Sequence, residues 1–555
     1  MTTILESKVT LEQSDNVEVV WRRSWFSWRK ILIMLFVFLV VFLYFCLVPA
    51  RLIISPETTL ITRLKPDGMP DYVGEFLLEH NSQLTNHDDN GLRMVIEKFG
   101  PYVLEKSSLM RNSVWEDLPN DNTEMGNWYR EKWIPLCNAM SIDPTKKPAE
   151  YKPISRKIDA MKNETKDKEY KKHDFLFSLT TKSWRAEDYP DIAEFVREAE
   201  EVLTVFAAAA KKPQWICYEY EARSMIEISL SGIWSAPIVC NDFAIRANER
   251  ISRNDIAGAF DDALAIIRIG RHITKGSTLS ERLTGFDLEI KGIRVIQSIL
   301  TYGNPSVEQI HQFIKELDNL PKADYSLDKI IKFEKMAELE MLFSLHNVFQ
   351  DDENIWKDIF KTSPSLRMLA WLSVLPIDYN IASKRMLSRF NYMEEIKKET
   401  DYQKRKQICE QNWRDVNRLT DALKMPQETL FRLPFIRLRS TLMADYASRF
   451  MLPAIDAYEN RETRVETLKN LLRVSFALEL YQRENGQYPD KLEAIAPKYI
   501  SVIPNDIFTS KELTYKKNDD GYILYSFGQN GIDDNGTDGE YNEDIVVERK
   551  KDSAK

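Results

Sequence analysis

The longest regular pattern in the chain runs from Trp184 to Ile455, where apolar residues recur every three or four positions. This period is typical of amphipathic α-helices that bury one face. One such segment is Ser252 to Ile273, followed by Lys275–Gly276, a combination that commonly stops a helix. Its predicted buried face consists of Ile256, Phe260, Ala263, Leu264 and Ile267.

Two capping boxes mark the starts of the next two predicted helices. Thr278-x-x-Glu281 opens the first and Ser306-x-x-Gln309 opens the second, because these side chains can satisfy the free N–H groups of a first turn. Gly303–Asn304–Pro305 ends the first of the two. The predicted buried stripes are Leu283, Phe286, Ile290 and Ile293, and then Ile310, Phe313, Ile314 and Leu317.

Short loops between amphipathic helices favour antiparallel neighbours, so residues 184–455 are predicted to form a large α-helical domain, either a bundle or an irregular solenoid. The period of about 34 residues that marks tetratricopeptide repeats is not found. Residues 51–183 are less regular, with several prolines and the charged run KIDAMKNETKDKEYKKHD. Such a run is typical of a solvated face or a linker, so this part is predicted to be a mixed, less regular helical region.

Composition agrees with a globular protein that is rich in helix. Apolar residues make up 43% and charged residues 29% of the 555 residues, and only 18 are Gly, which is costly inside helices. The formal net charge is −9, and no long basic stripe is present. We therefore expect no nucleic-acid partner, since binding to phosphates requires clustered Lys and Arg.

One segment near the N-terminus is apolar enough to cross a bilayer. Ile31 to Ala50 contains no charged residue and has the length of a transmembrane helix. Arg22, Arg23, Arg29 and Lys30 precede it. By the positive-inside rule this flank lies in the cytoplasm, and the bulk of the chain lies on the outer side of a bacterial inner membrane.

Residues 1–30 are thus predicted to be a cytoplasmic tail, and residues 31–50 a single-pass anchor in contact with the lipid bilayer. A cleaved signal peptide is the alternative, because Val48–Pro49–Ala50 has small residues at the spacing of a cleavage site. The apolar run is longer than the usual core of a signal peptide, which favours a retained anchor. Arg22–Arg23 is similar to a twin-arginine signal, and a basic flank is the simpler interpretation.

Four cysteines follow the predicted anchor: Cys137, Cys217, Cys240 and Cys409. An oxidising compartment permits disulfides, and Cys217 with Cys240 is the first pairing to test. Four buried thiols explain the same residues equally well, since cysteine without a disulfide is among the most buried residue types. No C-x-x-C motif is present, which argues against a structural zinc site.

Histidines and acidic residues offer few candidate sites. His80, His87, Asp88 and Asp89 lie close together in the sequence, but no regular ligand spacing supports a metal site there. A turn that caps a helix beginning near Leu92 is the favoured interpretation.

No recognised catalytic motif occurs in the chain, and Gly270 to Ser277 has the Lys and Gly of a phosphate loop in the wrong order. Glu281, Asp287 and Glu289 are able to meet across a helix bundle, although exposed faces and caps are the simpler interpretation. A cleft in which carboxylates converge on His272 or on the other candidate histidine, His311, would indicate an enzyme.

The pattern changes after Arg461, and residues 461–549 are predicted to form a small α+β module. Its single helix ends at Asn485–Gly486 and is followed by three short segments typical of strands, ELTYKK, GYILYSF and EDIVVER. The predicted buried stripe of the helix is Val465, Leu468, Leu472, Phe476 and Leu480.

Three stretches of this module carry a family resemblance: ALELYQRENGQYP (477–489), IPNDIF (503–508) and YILYSFGQNG (522–531), with a closing EDI. Together they resemble the globular part of the major pseudopilin of type II secretion systems. The resemblance implies a helix packed on a small sheet and a calcium ion in the final loop. Segments of the helical region resemble uncharacterised exported bacterial proteins, which implies no activity.

The chain also departs from the pseudopilin pattern. A true pseudopilin has a Gly-Phe-Thr cleavage site and a Glu at the fifth position of the mature helix, directly ahead of the module. Here the apolar segment lies far upstream and has neither feature. We therefore expect no processing by a prepilin peptidase and no polymerisation as a pilus subunit.

The loop SFGQNGIDDNGTDG (526–539) has the oxygen-rich composition that Ca²⁺ prefers. Ile545 stands where an EF-hand needs its bidentate Glu, so the loop is not an EF-hand. By the resemblance, Phe527 would give its carbonyl, and Asn530 and Asp544 would give side-chain ligands. A series of Asx turns that needs no metal explains the same residues, and the two interpretations stay open. The full candidate ligand set is Phe527, Asn530, Asp533, Asp534, Asp538 and Asp544.

The sequence therefore favours an anchored interaction or scaffold protein of the cell envelope, with an unidentified protein partner and a C-terminal module stabilised by Ca²⁺. A membrane-anchored hydrolase with a site between helices is the first alternative. An accessory protein of a type II secretion-like system is the second, and it depends on the resemblance alone.

Overall fold

The computed structural model describes residues 32–40, 52–84, 86–100, 133–146, 149, 152–164, 175–217, 222, 224–225, 228, 236–321, 326–344, 377–423, 436–448, 452–518, 521–537 and 544–550. The whole predicted tail, 1–30, lies outside these residues. So does most of the predicted anchor, 31–50, of which only 32–40 is described, as a helix. Within the described part of the chain, no helix has both the length and the apolar character needed for a bilayer crossing.

The described residues are mainly helical, as the sequence predicts, with one small sheet near the C-terminal end. Short 3₁₀ helices occur at His87–Asp89 and Leu492–Ile495. After residues 32–40, the α-helices are α1 (Tyr72–Asn81), α2 (Gly91–Phe99), α3 (Ile134–Ala139), α4 (Ile154–Glu164), α5 (Phe175–Thr181), α6 (Pro190–Glu198), α7 (Glu200–Ala210), α8 (Ala236–Ser252), α9 (Ile256–Ile273), α10 (Leu279–Tyr302), α11 (Val307–Asp318), α12 (Asp328–Ser344), α13 (Tyr379–Arg389), α14 (Asn391–Ile396), α15 (Tyr402–Leu423), α16 (Ile436–Ser448) and α17 (Leu452–Asn485).

Helices α8, α9 and α10 form the centre of the largest hydrophobic core. Glycines allow the backbones of α9 and α10 to approach closely. A Cβ atom at Gly292 would lie 2.5 Å from Cγ1 of Ile267, and one at Gly270 would lie 2.8 Å from the carbonyl oxygen of Gly285. These glycines therefore weaken the helices locally but allow a contact that any side chain would block.

The predicted helix signals are confirmed around α9 and α10, with one change of boundary. Ser252 is the last residue of α8, and α9 begins only at Ile256, because the side chain of Asp255 caps it by accepting a bond from the N–H of Gly258. Both capping boxes are formed, at Thr278 and at Ser306. The predicted inward residues of α9 are all buried: Ile256, Phe260, Ala263, Leu264 and Ile267.

The C-terminal end has the predicted order of one helix and three strands. Helix α17 ends at Asn485, and β1 (Thr514–Asn518), β2 (Gly521–Ser526) and β3 (Ile545–Lys550) form an antiparallel sheet in the order β1-β2-β3. In the register of this sheet, Leu524 of β2 faces Tyr515 and Val547. Leu524 is buried because α17 packs on this sheet.

The sheet is joined directly to the central helices. Arg294 and Thr301 of α10 donate side-chain bonds to the carbonyl oxygens of Val546 and Glu548, over 2.7 Å and 3.1 Å. Arg549 returns a bond to the carbonyl oxygen of Thr301. One hydrophobic core runs from α8–α10 through α17 into the sheet, so within the described residues the C-terminal part packs as a layer of the helical body.

A buried ion pair joins α8 to α9. Arg246 lies with Nε 3.2 Å from Oδ2 of Asp262, and each residue is at most 3% exposed. Burial raises the pKa of Asp262 to about 6, against the opposing effect of the Arg246 charge. Arg250 and Glu200 extend the pair towards solvent.

Candidate functional site

A buried carboxylate, that of Asp506, holds the start of the loop after β2 in place. Asp506 is 2% exposed and accepts bonds from Ser526 Oγ (2.8 Å), Thr509 Oγ1 (2.9 Å) and the backbone N–H groups of Phe508 and Phe527. The aspartate of the IPNDIF motif therefore fixes the end of β2 and the first residue of the loop. Its role is structural, because all these contacts order backbone and hydroxyl groups.

The polar residues of the loop contact one another. Asn530 Nδ2 donates to Oδ2 of Asp534 over 2.9 Å, and Asn530 Oδ1 accepts from the N–H of Ile532. Asp533 accepts from the hydroxyl of Tyr525 over 3.0 Å and from the N–H of Asn535. The bonds from the N–H groups of Ile532 and Asn535 are those of Asx turns, which the sequence offers as the interpretation without a metal.

Asp544 is the unusual member of the predicted ligand set. It is fully buried, and its Oδ2 accepts from the N–H of Gly536 over 2.7 Å, whereas its Oδ1 has no hydrogen-bond partner among the described residues. Burial raises its pKa, the N–H groups of Gly536 and Asp534 oppose this, and the charges of Asp534 and Asp533 raise it further. A buried carboxylate oxygen without a hydrogen-bond donor is unusual, and a bound cation would explain it.

The structure thus brings four of the predicted ligands into one loop region: Asn530, Asp533, Asp534 and Asp544. Asp538 lies outside the described residues. Phe527 contributes its N–H to Asp506. Across the described part of the chain, no group of three or more His, Cys, Asp or Glu is arranged to hold a metal ion. Calcium at this loop therefore stays a prediction.

A second candidate site is a cavity of about 170 Å³ among the helices. Helix α1 contributes Phe76 and His80, the segment 213–217 contributes Trp215, and the turn between α9 and α10 leads into it. Asn90 positions the segment 213–217, because its Nδ2 donates to the carbonyl oxygen of Ile216 and its Oδ1 accepts from the N–H of that residue. This asparagine is also the N-cap of α2, which confirms the predicted turn before Leu92.

Two histidines line this cavity, and each is bonded to a backbone carbonyl. His80 Nε2 donates to the carbonyl oxygen of Cys217 over 2.9 Å, since a carbonyl can only accept. His272 Nε2 donates to the carbonyl oxygen of Ala210 over 3.1 Å, and its ring stacks on Trp215. Burial lowers the pKa of His272 to about 4, so its ring is neutral at physiological pH.

Glu281 is the carboxylate of the cavity. As the third residue of α10 it completes the capping box, and its Oε2 accepts from the N–H and the hydroxyl of Thr278. Burial raises the pKa of Glu281, and the Thr278 bonds and the charge of His80 oppose that shift. Gly276 leaves room for it, because a Cβ there would lie 2.2 Å from Cδ of Glu281.

The other predicted carboxylates do not converge on Glu281. Asp287 pairs with Arg461 over 3.2 Å, and Glu289 is fully buried between Arg271 and Lys469. His311 is exposed on α11. The convergence that the sequence suggested is thus limited to Glu281 with His272, and the structure adds His80, which sequence reasoning had considered only as a metal ligand.

The described cysteines are reduced, and no disulfide joins Cys217 to Cys240. Burial raises the pKa of Cys137 and of Cys409 to about 12 and raises that of Cys240 as well. Because the thiolate is the nucleophile, these thiols are unreactive in the folded protein. Of the four, Cys217 lines the cavity.

Comparison of the chain with protein-family models, with curated proteins and with solved structures gives no match.

Proposed function

We propose that the protein is a scaffold of the bacterial cell envelope. Residues 31–50 anchor it in the inner membrane with residues 1–30 in the cytoplasm, and the helical body presents a surface to a protein partner. The observation that supports this role is the single core shared by α8–α10, α17 and the sheet. A body built in this way displays its surfaces in fixed relative positions, which suits a scaffold better than a chain of tethered modules does.

Ca²⁺ stabilises the C-terminal part of this scaffold in our proposal. Its support is Oδ1 of Asp544, which has no hydrogen-bond partner among the described residues and belongs to a carboxylate that the charges of Asp533 and Asp534 repel. A divalent cation would replace the missing donor and would offset both the burial and the repulsion from Asp534 and Asp533 that raise the pKa of Asp544. The loop carbonyls and water supply the further oxygens that Ca²⁺ requires.

The calcium proposal is tested by the melting temperature of the full chain in detergent. We expect the melting temperature to rise with Ca²⁺ and to return with a chelator, since a ligand stabilises the state that binds it. Asp544→Asn should abolish this shift, whereas Asp490→Asn, an exposed aspartate in the same region, should leave it intact. The same shift in both variants would refute the site.

The scaffold proposal needs two further experiments. A reporter that works only outside the cytoplasm should be active when it is fused after residue 60. Activity of only a cytoplasmic type of reporter at this position would contradict the topology. Cross-linking in native membranes, with the full chain as the tagged bait, should capture a partner protein. When that partner carries the tag instead, it should capture the full chain. Failure of this reciprocal capture for every cross-linked protein would contradict the scaffold role.

A membrane-anchored hydrolase is the second candidate, because His80, His272 and Glu281 line one cavity. A carboxyl group with a raised pKa beside a histidine is suited to general acid–base catalysis. Glu281→Gln retains the capping box, since Gln serves at this position as well as Glu does. The test is hydrolysis of a panel of esters and phosphoesters. Activity of the wild type that is lost in Glu281→Gln, with an unchanged melting temperature, would support the enzyme. A wild type that hydrolyses none of them would refute it.

A further inference from the structure

The cavity between α1, the segment 213–217 and the start of α10 has the size of one aromatic ring. Its volume is about 170 Å³, and an engineered protein cavity of about 150 Å³ binds benzene. Phe76 and Trp215 give it aromatic walls, and Leu92 and Ile273 add apolar surface. A planar ring is therefore the shape of ligand that fits these residues.

The charges of the cavity are unbalanced. Lys275 and Lys329 line it, and neither forms an ion pair with a described residue; Lys329 Nζ donates only to the amide oxygen of Gln83, over 3.3 Å. Glu281 is the carboxylate among the described lining residues, and its Oε2 is already engaged with Thr278. Two cations against one carboxylate favour an anionic ligand.

A buried donor also lacks an acceptor at this place. Nε1 of Trp215 is buried and has no hydrogen-bond partner among the described residues, and the same holds for Oε1 of its neighbour Gln214. Leaving a buried N–H unpaired is unfavourable, so the tryptophan is expected to have a partner in some state of the protein. Because an indole N–H can only donate, that partner is an acceptor.

We propose that this cavity binds a small aromatic carboxylate with a single ring. The ring lies against the aromatic walls of Phe76 and Trp215, and the carboxylate is bound by the ammonium groups of Lys275 and Lys329 and by the indole N–H. This function goes beyond the scaffold role and does not depend on hydrolysis, since binding requires no bond to break.

The test uses isothermal titration calorimetry of the full chain in detergent, with benzoate as the probe and benzamide as its uncharged analogue of the same shape. We expect saturable binding of benzoate with a Kd below about 1 mM. Benzamide should bind at least about tenfold more weakly, because it lacks the charge-assisted bonds. Equal affinity for the two probes, or no saturable binding of benzoate, would overturn the proposal.

Variants locate the binding site. Lys275→Gln and Trp215→Phe should each weaken benzoate binding by about tenfold, since one removes a charge and the other removes the indole N–H. Lys211→Gln and Trp413→Phe make the same changes at exposed positions and should have no effect. Benzoate affinity unchanged in Lys275→Gln would place binding elsewhere and refute the assignment. The result for Trp215→Phe is used only if its melting temperature equals that of the wild type. If it does not, the result for Lys275→Gln by itself tests the assigned site.

Discussion

Gly536 donates its backbone N–H to one oxygen of the Asp544 carboxylate over 2.7 Å, while the other oxygen of this buried group has no partner among the described residues. The two residues close the loop between β2 and β3, which has the acidic composition singled out by the sequence. Gly536 has a positive φ of 76°, a conformation that glycine adopts at little cost and that aims its N–H at the carboxylate. The loop is therefore organised around an incompletely satisfied charge.

The first prediction concerns Asp544→Asn in buffer without metal. The amide keeps an acceptor for Gly536 and removes a buried charge that Asp533 and Asp534 repel. We expect the free energy of unfolding to rise by about 1 kcal/mol in denaturant titrations. A variant that is less stable than the wild type in chelator would show that the bare carboxylate is itself stabilising.

The second prediction concerns two buried glutamates on α12. Burial raises the pKa of Glu334 to about 7, against a bond from the N–H of Leu279, and burial together with the charge of Glu334 raises the pKa of Glu338 to about 8. When folding raises the pKa of a carboxyl group, the free energy of unfolding has its full value below the pKa that this group has in the unfolded chain. It falls as the pH rises towards and through the pKa of the group in the folded protein. The free energy of unfolding should therefore fall between pH 5 and pH 8.

The double variant Glu334→Gln, Glu338→Gln isolates this effect. It should flatten the fall by on the order of 2 kcal/mol, because neutral amides do not titrate and the new amide at position 334 can still accept from Leu279. The control pair Glu394→Gln, Glu395→Gln on α14, the first half-buried and the second exposed, changes the charge equally and should leave the pH profile unaltered. The same slope in wild type and α12 variant would contradict the assignment to these two residues.

The third prediction concerns the contact between α9 and α10. Gly292→Ala places a methyl group 2.5 Å from Cγ1 of Ile267 and 3.0 Å from the carbonyl oxygen of Ala263, so the Ile267 side chain or the two helix backbones must shift. We expect a loss of about 1–3 kcal/mol in the free energy of unfolding, although alanine is the better helix former. Ser280→Ala at an exposed position of α10 should change it little. A stabilised Gly292→Ala variant would show that the helices have room to spare.

The fourth prediction concerns the junction between α10 and β3. Thr301→Val removes the hydroxyl that donates to the carbonyl oxygen of Glu548 over 3.1 Å and keeps the shape of the side chain. We expect faster hydrogen exchange in β3, at a cost of about 1 kcal/mol. Thr441→Val, whose hydroxyl bonds within its own helix, is the matched control. Unchanged exchange in β3 would mean that apolar packing alone holds the sheet on the helices.

The sequence by itself determined the elements whose signals are local. The capping boxes at Thr278 and Ser306, the buried face of α9 and the end of α17 at Asn485 were predicted correctly, because caps and helical periodicity depend on residues within a few positions of one another. The three strands and their turns were predicted for the same reason.

Only the tertiary structure decided which distant residues meet. His80 on α1 and Glu281 on α10 line one cavity although they are far apart in the sequence, and no local sequence pattern predicts that proximity. Glu281, Asp287 and Glu289 lie close together on α10 yet point to different partners, since burial and the neighbouring helices select the contact of each. Pairings across a fold depend on how its helices pack, and this depends on all the side chains of the core together.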